Sequence, residues 1–516
     1  MTTRVASEAN AEWRVPLADV AATEALATWL AGWVKPGEAI ALKGELGAGK
    51  TTFARAFLRA ALGDPSIEAP SPTFTLMQIY EGDVAPIVHA DFYRIRGPAE
   101  LVNLGWEEAI DGAITLVEWP ERAIGALPPD QIEVELAYDP SAKGARIATL
   151  RGKGELGRRI DRERAILALL DRAGWTAAER RPLHGDASTR AYARLKKRTG
   201  ETAILMISPP RVEGPTIRYG KSYAQIARLS SDIRAFLAMD VGLAGLGYST
   251  PRIYAASVKD GLALLEDFGS ETIVDADGAI AARYTEAAAL LAHLHNRDLP
   301  DAVAYLGETH AIPPYDVEAM LIEVELVLDW YAPAIARVMP SSGSRVQFLA
   351  LWRDVLEKAL QGPRTWTLRD FHSPNLHWLA DREGLARVGV IDFQDAVLGP
   401  PAYDVASLLQ DARVDVGNDL ELRLLAYYSR RRSLLTPSFD QADFLGSYAI
   451  MGAQRATKIL GGFARLDKRD GKPQYVRHLP RLERTLAKNL AHPKLSGVRA
   501  WFETNLPRAL GIQAPA

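Results

Sequence analysis

The sequence predicts two folded units in one chain, an α/β unit followed by a larger α+β unit. The chain has 516 residues, which is too long for one ordinary domain. Strand-like segments mix with helical stretches over about the first 140 residues, and after residue 222 helical patterns dominate. A stretch rich in glycine and basic residues lies between them at 139–160. We therefore expect domains at 1–155 and 163–516, joined by a linker at 156–162.

Composition and charge are those of a soluble globular protein, with 48% hydrophobic and 24% charged residues. The 61 basic and 64 acidic residues give a formal charge of −3, which excludes an overall basic nucleic-acid footprint. A role in nucleic-acid biology would therefore run through partners or a local patch.

Cysteine is absent, which excludes disulfides, thiol catalysis and cysteine-ligated zinc. The opening residues MTTRVASEANAEWRVPL contain no apolar signal-peptide core, and no run of eighteen apolar residues occurs. These observations predict a cytoplasmic location.

The elements of the first unit follow from short apolar runs. A helix is predicted around AATEALATWLAGWV and ends at Pro36 and Gly37. The predicted strands are 39–44, 75–80, 86–90, 114–118, 131–137 and 145–151.

A glycine-rich loop follows the strand at 39–44 and fits the pattern G-x-x-x-x-G-K-[ST]. Glycines let backbone N–H groups turn toward phosphate oxygens, and the next helix, TTFARAFLRAAL, points its positive end at them. Lys50 is expected to reach the β- and γ-phosphates of ATP, and Thr51 to offer its hydroxyl to Mg²⁺. The predicted nucleotide-binding residues of this P-loop are Gly44, Gly47, Ala48, Gly49, Lys50, Thr51 and Thr52.

Three further motifs follow the loop: SPTF at 71–74, H-x-D-x-Y-R at 89–94 and VEWPE at 117–121. An acid at the end of a buried strand beside a P-loop suits a magnesium or water-orienting carboxylate. In this order, the motifs resemble the TsaE family of small ATPases over residues 15–150.

The resemblance implies an α/β P-loop NTPase fold and an ATPase that binds ATP and Mg²⁺. It implies that Asp91 and Glu118 serve Mg²⁺ and the attacking water, and that Thr73 lies in a switch-like loop. It also implies support for formation of N6-threonylcarbamoyladenosine at tRNA position 37, with TsaB- and TsaD-type proteins as partners that hold the tRNA.

The second unit carries its most informative motif at 367–411. Asp370 and Asn375 are five positions apart, as are the base and the metal-binding asparagine of a kinase catalytic loop. A hairpin pattern follows and ends at Asp392 in VIDF. We expect Asp370 to orient and deprotonate a substrate hydroxyl, while Asn375 and Asp392 hold Mg²⁺ on the ATP phosphates.

Two upstream segments support a nucleotide site. PLHGDASTRAYARL at 182–195 can form a turn that covers phosphates, with Ser188, Thr189 and Arg190 as candidate ATP contacts. LLEDFGSE at 264–271 is typical of an inter-lobe hinge and carries Glu266, a further candidate.

This arrangement resembles the aminoglycoside phosphotransferase family, which has a two-lobed, protein-kinase-like α+β fold. GDASTRAYARL followed by ILMISPP is similar to the AmgK kinases, which phosphorylate the anomeric hydroxyl of N-acetylmuramate and N-acetylglucosamine. The resemblance covers about 163–510. It implies that Asp370 is the base, that Asn375 and Asp392 are metal ligands and that Asp404 is a structural support.

Two positions depart from the kinase pattern. Leu368 stands where the loop usually opens with histidine, and His372 is either a sugar contact or an ordinary loop histidine. Met206 stands where an ATP-binding lysine is expected, and Lys196, Lys197 or Arg190 are candidate substitutes. Three hypotheses stay open: an amino-sugar kinase, a pseudokinase that only binds, or a kinase for an aminoglycoside, choline or a homoserine-like alcohol.

Overall fold

The computed structural model describes residues 12–183, 190–305 and 307–512. The chain divides into two compact units between Asp171 and Arg172. Within the described residues, no helix combines the length and apolar character that crossing a bilayer requires.

The first unit contains seven strands, four complete α-helices and all but the last residue of a fifth. The strands are β1 Trp13–Leu17, β2 Ala39–Gly44, β3 Met77–Tyr80, β4 Ile87–Asp91, β5 Ile114–Glu118, β6 Gln131–Tyr138 and β7 Arg146–Lys153. The helices are α1 Val20–Ala31, α2 Lys50–Leu62, α3 Ala99–Val102, α4 Trp106–Ile110 and α5 Gly154–Arg172. The predicted strands are confirmed within two residues at each end, and β1 is an addition. The predicted helix is present, but it ends at Ala31 and not at Pro36 and Gly37.

The strands form one mixed sheet in the order β1–β7–β6–β2–β5–β4–β3. Strands β2, β4, β5 and β6 run parallel, so the carboxyl ends of β2, β4 and β5 meet at one edge. Ile40 and Leu42 of β2 share a buried cluster with Phe53 and Phe57 of α2. This packing docks α2 on the sheet and holds the loop between β2 and α2 at that edge.

A linker was expected at 156–162, but this prediction is wrong, because helix α5 runs through the segment without a break. Leu156 and Ile160 are 0% and 3% exposed and belong to the same buried cluster as β2 and α2. Apolar burial therefore keeps this segment with the first unit, and the division falls later, after Asp171.

The second unit begins with strands and continues mainly with helices. Its strands are β8 Glu179–Leu183, β9 Ala191–Lys196, β10 Thr202–Ile207, β11 Thr216–Arg218, β12 Lys221–Ser222, β13 Ile253–Ser257, β14 Leu262–Glu266, β15 Val274–Asp275, β16 Gly278–Ala279, β17 Ala302–Tyr305, β18 Glu308–Ala311, β19 Thr365–Thr367, β20 Leu376–Trp378, β21 Val388–Val390 and β22 Val397–Gly399. Its helices are α6 Tyr223–Ile226, α7 Ile233–Gly245, α8 Ala281–His295, α9 Val317–Leu326 with a π-helical extension Val327–Ala336, α10 Ser342–Ala359, α11 Pro401–Leu409, α12 Asn418–Leu435, α13 Gln441–Asp470, α14 Leu479–Leu490 and α15 Ser496–Asn505.

One antiparallel sheet of five strands, in the order β13–β14–β10–β9–β8, forms the first lobe of this unit. The helices that follow α8 form the second lobe, and the hairpin β20–β21 lies beside the catalytic motif. The hairpin predicted after Asn375 is confirmed, with Leu376 paired to Val390. This is the two-lobed α+β arrangement expected from the sequence.

Candidate functional site

The loop between β2 and α2 has the backbone that its glycines predict. Gly44, Gly47 and Gly49 adopt φ values of 137°, 80° and 111°, a region that side chains disfavour. A Cβ on Gly44 would lie 2.3 Å from the carbonyl oxygen of Leu136, so no other residue fits there. Gly49 is the N-cap of α2, and the free N–H groups of the first turn therefore open into the loop.

Lys50 is the cation of this loop and is 5% exposed. Its Nζ donates to the carbonyl oxygens of Gly44 at 2.8 Å and Glu45 at 2.9 Å, and it lies 3.8 Å from the ring centroid of Trp119. Burial lowers the pKa of Lys50, although the nearby carboxylates act in the opposite direction. The loop thus holds its cation through local carbonyl groups.

Two carboxylates end adjacent parallel strands beside the loop. Asp91 of β4 is paired in register with Glu118 of β5, and the two are 3% and 2% exposed. Glu118 accepts a hydrogen bond from the Thr51 hydroxyl at 3.1 Å, and its other oxygen is 3.2 Å from His89 Nε2. Three motifs separated in sequence therefore meet at one point.

The Asp91 carboxylate is covered by neutral donors. One oxygen accepts from the hydroxyls of Ser71 at 2.5 Å and Thr73 at 2.7 Å, and the other accepts from the backbone N–H of Tyr93 at 2.8 Å. Thr73 therefore lies beside the carboxylates, and a switch-like role for its loop stays a prediction. Ser71 and His89 were not among the predicted site residues, although both stand in motifs that the sequence presents.

The remaining predicted loop residues, Ala48 and Thr52, occupy the loop and the first turn of α2. Ala48 is 1% exposed, and its carbonyl oxygen accepts from Arg146 Nε at 3.1 Å, which ties the loop to β7. Nucleotide contact at either residue stays a prediction.

The oxygen ligands of this site fit a magnesium ion. Thr51, Asp91 and Glu118 offer hydroxyl and carboxylate oxygens, the hard donors that Mg²⁺ prefers. Over the part of the chain that the structure describes, no group of three or more histidine, cysteine, aspartate or glutamate side chains is arranged to hold a metal by itself. That fits Mg²⁺, which commonly uses few protein ligands together with substrate phosphates.

In the second unit, Asp370, Asn375 and Asp392 are brought together. Asn375 Nδ2 donates to the Asp370 carbonyl oxygen at 2.9 Å and to the Asp392 carboxylate at 3.3 Å. The side chains of Asp370 and Asp392 are each 37% exposed and so are open to a substrate. Burial and the charge of Asp370 raise the pKa of Asp392 to about 6. The amide and carboxylate oxygens again suit Mg²⁺ bound with phosphates.

Asp404 supports the loop that carries Asp370. It is fully buried and accepts hydrogen bonds from the backbone N–H groups of Leu368 at 2.6 Å and Arg369 at 2.9 Å. Burial raises the pKa of Asp404 to about 7. Arg369 adopts a φ of 66°, a conformation that costs about 1–3 kcal/mol and persists only where its surroundings hold it. These contacts agree with the structural role expected for Asp404. The residue lies inside α11, whose N-cap is Pro400.

A buried ion cluster was not predicted from the sequence. Glu323 is 0% exposed and accepts from Arg369 Nη2, while Lys458 Nζ lies 2.9 Å from the same carboxylate oxygen. Tyr315 and Gln454 donate to its second oxygen at 2.5 and 3.0 Å. These contacts fix Arg369, the residue before Asp370. Since the partners are scattered along the chain, no local pattern in the sequence could have revealed the cluster.

His372 lies close to the predicted base but largely out of solvent. Its Nε2 is 3.9 Å from an Asp370 carboxylate oxygen, and its side chain is 8% exposed. Burial lowers the pKa of His372 to about 4, although Asp411 acts in the opposite direction. A neutral, buried ring favours a role in loop structure, and a contact with substrate stays a prediction.

Met206 and Leu368, the two departures from the kinase pattern, are both core residues. Met206 lies in β10, paired with Tyr192 and Ala263, and is 1% exposed. Leu368 is 2% exposed and needs no polar side chain, because its backbone N–H provides the contact to Asp404.

Among the candidate substitutes for the missing lysine, Arg190 lies nearest to the catalytic groups. Its Nη1 donates to Asp392 at 3.0 Å and its Nη2 to the Ser230 hydroxyl at 3.4 Å. Lys197 instead pairs with Glu201 at 3.2 Å on the β9–β10 hairpin, and Lys196 is exposed. The geometry therefore favours Arg190 over the two lysines as the cation beside Asp392, and its contact with ATP stays a prediction.

The other candidate ATP contacts are Ser188, Thr189 and Glu266, and the structure describes only Glu266. Ser188 and Thr189 lie outside the described residues. Glu266 ends β14, where its carboxylate accepts from Arg382 at 2.5 Å and from the Arg252 N–H at 3.2 Å. Its own N–H donates to the Arg252 carbonyl oxygen at 2.8 Å, so an ATP contact at Glu266 stays a prediction.

Two protein families match this chain, one over each unit. The family described as "Threonylcarbamoyl adenosine biosynthesis protein TsaE" matches residues 17–147, and the "Phosphotransferase enzyme family" matches residues 179–444. The N-acetylmuramate/N-acetylglucosamine kinase of Caulobacter vibrioides is 36% identical over 359 residues, which cover 67% of this chain and 97% of that protein.

Two further relatives support the same division. The kinase of the same name from Pseudomonas aeruginosa is 30% identical, over 63% of this chain and 88% of its own length. The tRNA threonylcarbamoyladenosine biosynthesis protein TsaE of Rickettsia conorii is 42% identical over 128 residues, or 25% of this chain and 73% of that protein. The chain therefore belongs to the phosphotransferase enzyme family through its second unit and to the TsaE family through its first.

Proposed function

We propose that this chain is a bifunctional enzyme that uses ATP at two separate sites. The first unit is an ATPase that supports N6-threonylcarbamoyladenosine formation at tRNA position 37. The second is a cytoplasmic kinase that phosphorylates the anomeric hydroxyl of N-acetylmuramate or N-acetylglucosamine in cell-wall recycling. The named relatives support both assignments, and each assignment agrees with the chemistry of its site.

The observation that carries the first assignment is the meeting of Thr51, Asp91 and Glu118 beside Lys50. When bound, Mg²⁺ neutralises phosphate charge as the β–γ bond breaks. Thr51 and the two carboxylates would hold it, and Lys50 would exchange its carbonyl partners for phosphate oxygens. We propose TsaB- and TsaD-type proteins as partners, because the formal charge of −3 gives the chain no overall attraction for tRNA.

The observation that carries the second assignment is that Asn375 donates to both the backbone carbonyl oxygen of Asp370 and the carboxylate of Asp392. Asp370 orients the acceptor hydroxyl and takes its proton as the hydroxyl oxygen bonds to the γ-phosphorus of ATP. The bond to the bridging oxygen breaks, and ADP leaves with the electron pair. Asn375 and Asp392 would hold Mg²⁺ on the phosphates, and Arg190 adds positive charge on the Asp392 side.

Met206 favours one competing function, a pseudokinase that binds nucleotide or a partner without transfer. Its buried side chain offers no charge to a triphosphate. The Arg190–Asp392 ion pair argues for the active kinase, because it provides a cation where the lysine is missing. A kinase for another small alcohol, such as an aminoglycoside, choline or homoserine, is the other alternative.

The kinase assignment is tested with the full chain, Mg²⁺-ATP and a panel of hydroxyl acceptors that includes both amino sugars. We expect a 1-phosphate product from at least one amino sugar and a loss of about 10³-fold in kcat for Asp370→Asn. Lys50→Ala is the matched control, because it alters the other site only. Turnover of neither sugar, together with no effect of Asp370→Asn, would contradict the assignment.

The ATPase assignment is tested by complementing a strain that lacks its own TsaE. The unaltered chain should restore the modified adenosine, measured by mass spectrometry of tRNA digests, and Lys50→Ala should not. Asp370→Asn serves here as the control and should restore modification fully. Modification at the normal level with Lys50→Ala would rule the assignment out.

A further inference from the structure

One stripe of helix α13 runs alongside α11, the helix that supports the catalytic loop. A Cβ on Gly452 would lie 2.4 Å from the side-chain oxygen of Gln410, just past the end of α11. Lys458 Nζ lies 3.4 Å from the Tyr403 hydroxyl, near the start of α11. Arg455 is three residues from each and so lies on the same stripe, facing the middle of α11.

Arg455 is buried without a partner of its own. The residue is only 5% exposed, yet within the described ranges its guanidinium makes no hydrogen bond and no ion pair. Its neighbours Gln454 and Lys458 both bind the carboxylate of Glu323. Among the described residues, the Arg455 nitrogens do not belong to the enclosed polar atoms that lack a partner, so they reach solvent and can bind an anionic ligand.

The charge of Arg455 acts on the catalytic loop. Burial raises the pKa of Asp404 and lowers that of His372, and the charge of Arg455 acts to lower both. At Asp370, where burial acts to raise the pKa, the larger effect of Lys458 and that of Arg455 act to lower it. Lys458, three residues further along the same stripe, contacts Glu323, which binds Arg369 next to the base, so Arg455 lies about one helical turn from that cluster. On the other side of the base, Asn375 contacts both Asp370 and Asp392, which marks the metal and phosphate side.

We propose that Arg455 binds the carboxylate of an anionic acceptor whose hydroxyl lies at Asp370. This inference rests on the proposed sugar-kinase function and adds a determinant of specificity. N-acetylmuramate carries a carboxylate on the lactyl ether at its O3, and N-acetylglucosamine has a hydroxyl there. A guanidinium binds a carboxylate through two parallel hydrogen bonds, a geometry that a lysine ammonium does not reproduce.

The experiment compares kcat and KM for both sugars in the full chain and in Arg455→Met and Arg455→Lys. We expect Arg455→Met to raise KM for N-acetylmuramate by about 10- to 100-fold, the effect of losing a charged hydrogen bond, and to leave N-acetylglucosamine within about threefold. Arg455→Lys keeps the charge and should recover part of the loss. The methyl ester of N-acetylmuramate, which has no negative charge, should lose affinity for the unaltered enzyme and be insensitive to Arg455→Met.

Arg469→Gln is the matched control on the same helix, since Arg469 is exposed and pairs only with Asp470 among the described residues. Equal losses for both sugars in Arg455→Met and Arg455→Lys, or no loss in either variant, would overturn the proposal. If the unaltered chain phosphorylates neither sugar, the proposed function fails separately. Calorimetric binding of N-acetylmuramate then decides the inference: binding that Arg455→Met abolishes supports it, and no binding or unchanged binding overturns it.

Discussion

The carboxylates of the two sites differ in how they are covered. In the first unit Asp91 and Glu118 are 3% and 2% exposed, beneath hydroxyl groups and a histidine. In the second unit the side chains of Asp370 and Asp392 are each 37% exposed. The first site must exchange internal hydrogen bonds for those of Mg²⁺-ATP, whereas the second already presents its acids to a ligand.

The two sites also differ in where their cations come from. Lys50 is held by carbonyl oxygens only five and six residues earlier in the chain. Arg190 reaches Asp392 across 202 residues, and Lys458 and Arg455 arrive from a helix far beyond the catalytic loop. The charged groups of the first site are thus compensated by several partners close to them in the sequence. Those of the second site are compensated by partners far away in the sequence. We therefore expect single substitutions to cost more in the second.

Among the groups that compensate or support these acids, the largest effect is expected for Arg190→Gln, which removes the cation beside Asp392. Asp392 is 37% exposed, so solvent screens the ion pair itself, and the main loss is of the positive charge beside the proposed phosphate site. We expect kcat/KM for ATP in the kinase reaction to fall about 100-fold, measured by steady-state kinetics with saturating sugar.

Lys197→Gln is the control for that change, because it removes a cation that pairs with Glu201 on the hairpin surface. An exposed pair contributes about 0–1 kcal/mol, so KM for ATP should stay within about twofold. A large effect of Lys197→Gln with none of Arg190→Gln would show that Lys197, and not Arg190, replaces the lysine expected at Met206.

A smaller effect is expected for Asp404→Asn. The amide can accept from only one of the Leu368 and Arg369 N–H groups, and its own NH₂ group opposes the other. An unsatisfied buried donor costs about 1–3 kcal/mol. Hydrogen–deuterium exchange at these two amides should accelerate by about 10- to 100-fold, and kcat should fall.

The matched control is Asp440→Asn, which also concerns an acid that accepts from two backbone N–H groups. It caps α13 in solvent, where asparagine is an equally good cap, so stability should change by less than about 0.5 kcal/mol. Similar effects of the two substitutions would contradict the importance of burial at Asp404.

The smallest effect is expected for Thr73→Val in the first unit. Ser71 and the Tyr93 N–H still donate to Asp91, so the free energy of unfolding of this unit should fall by only about 1 kcal/mol in urea titrations. Ser71→Ala combined with Thr73→Val should cost more than the sum of the single changes. Strict additivity would argue against redundant local compensation.

Much of the first site could be predicted from the sequence because its candidate residues lie in short sequence motifs. The G-x-x-x-x-G-K-[ST] pattern locates the loop, and two strand-end acids locate the carboxylates. His89 and Ser71 stand inside the same motifs, but their roles depend on the register between β4 and β5 and on the loop before β3. The helical continuation across 156–162 was missed because a glycine-rich, basic stretch is typical of a linker, whereas tertiary burial of Leu156 and Ile160 extends the fold.

The sequence by itself determined the two families and indicated the candidate acids Asp370 and Asp392, since each depends on residues close together in the chain. Only the tertiary structure decided what compensates those acids. Arg190, Glu323, Arg455 and Lys458 reach the catalytic loop from three separate segments, and their sequence neighbours give no sign of it. The physical reason is that a buried charge is satisfied by proximity in space, which only packing of distant elements creates.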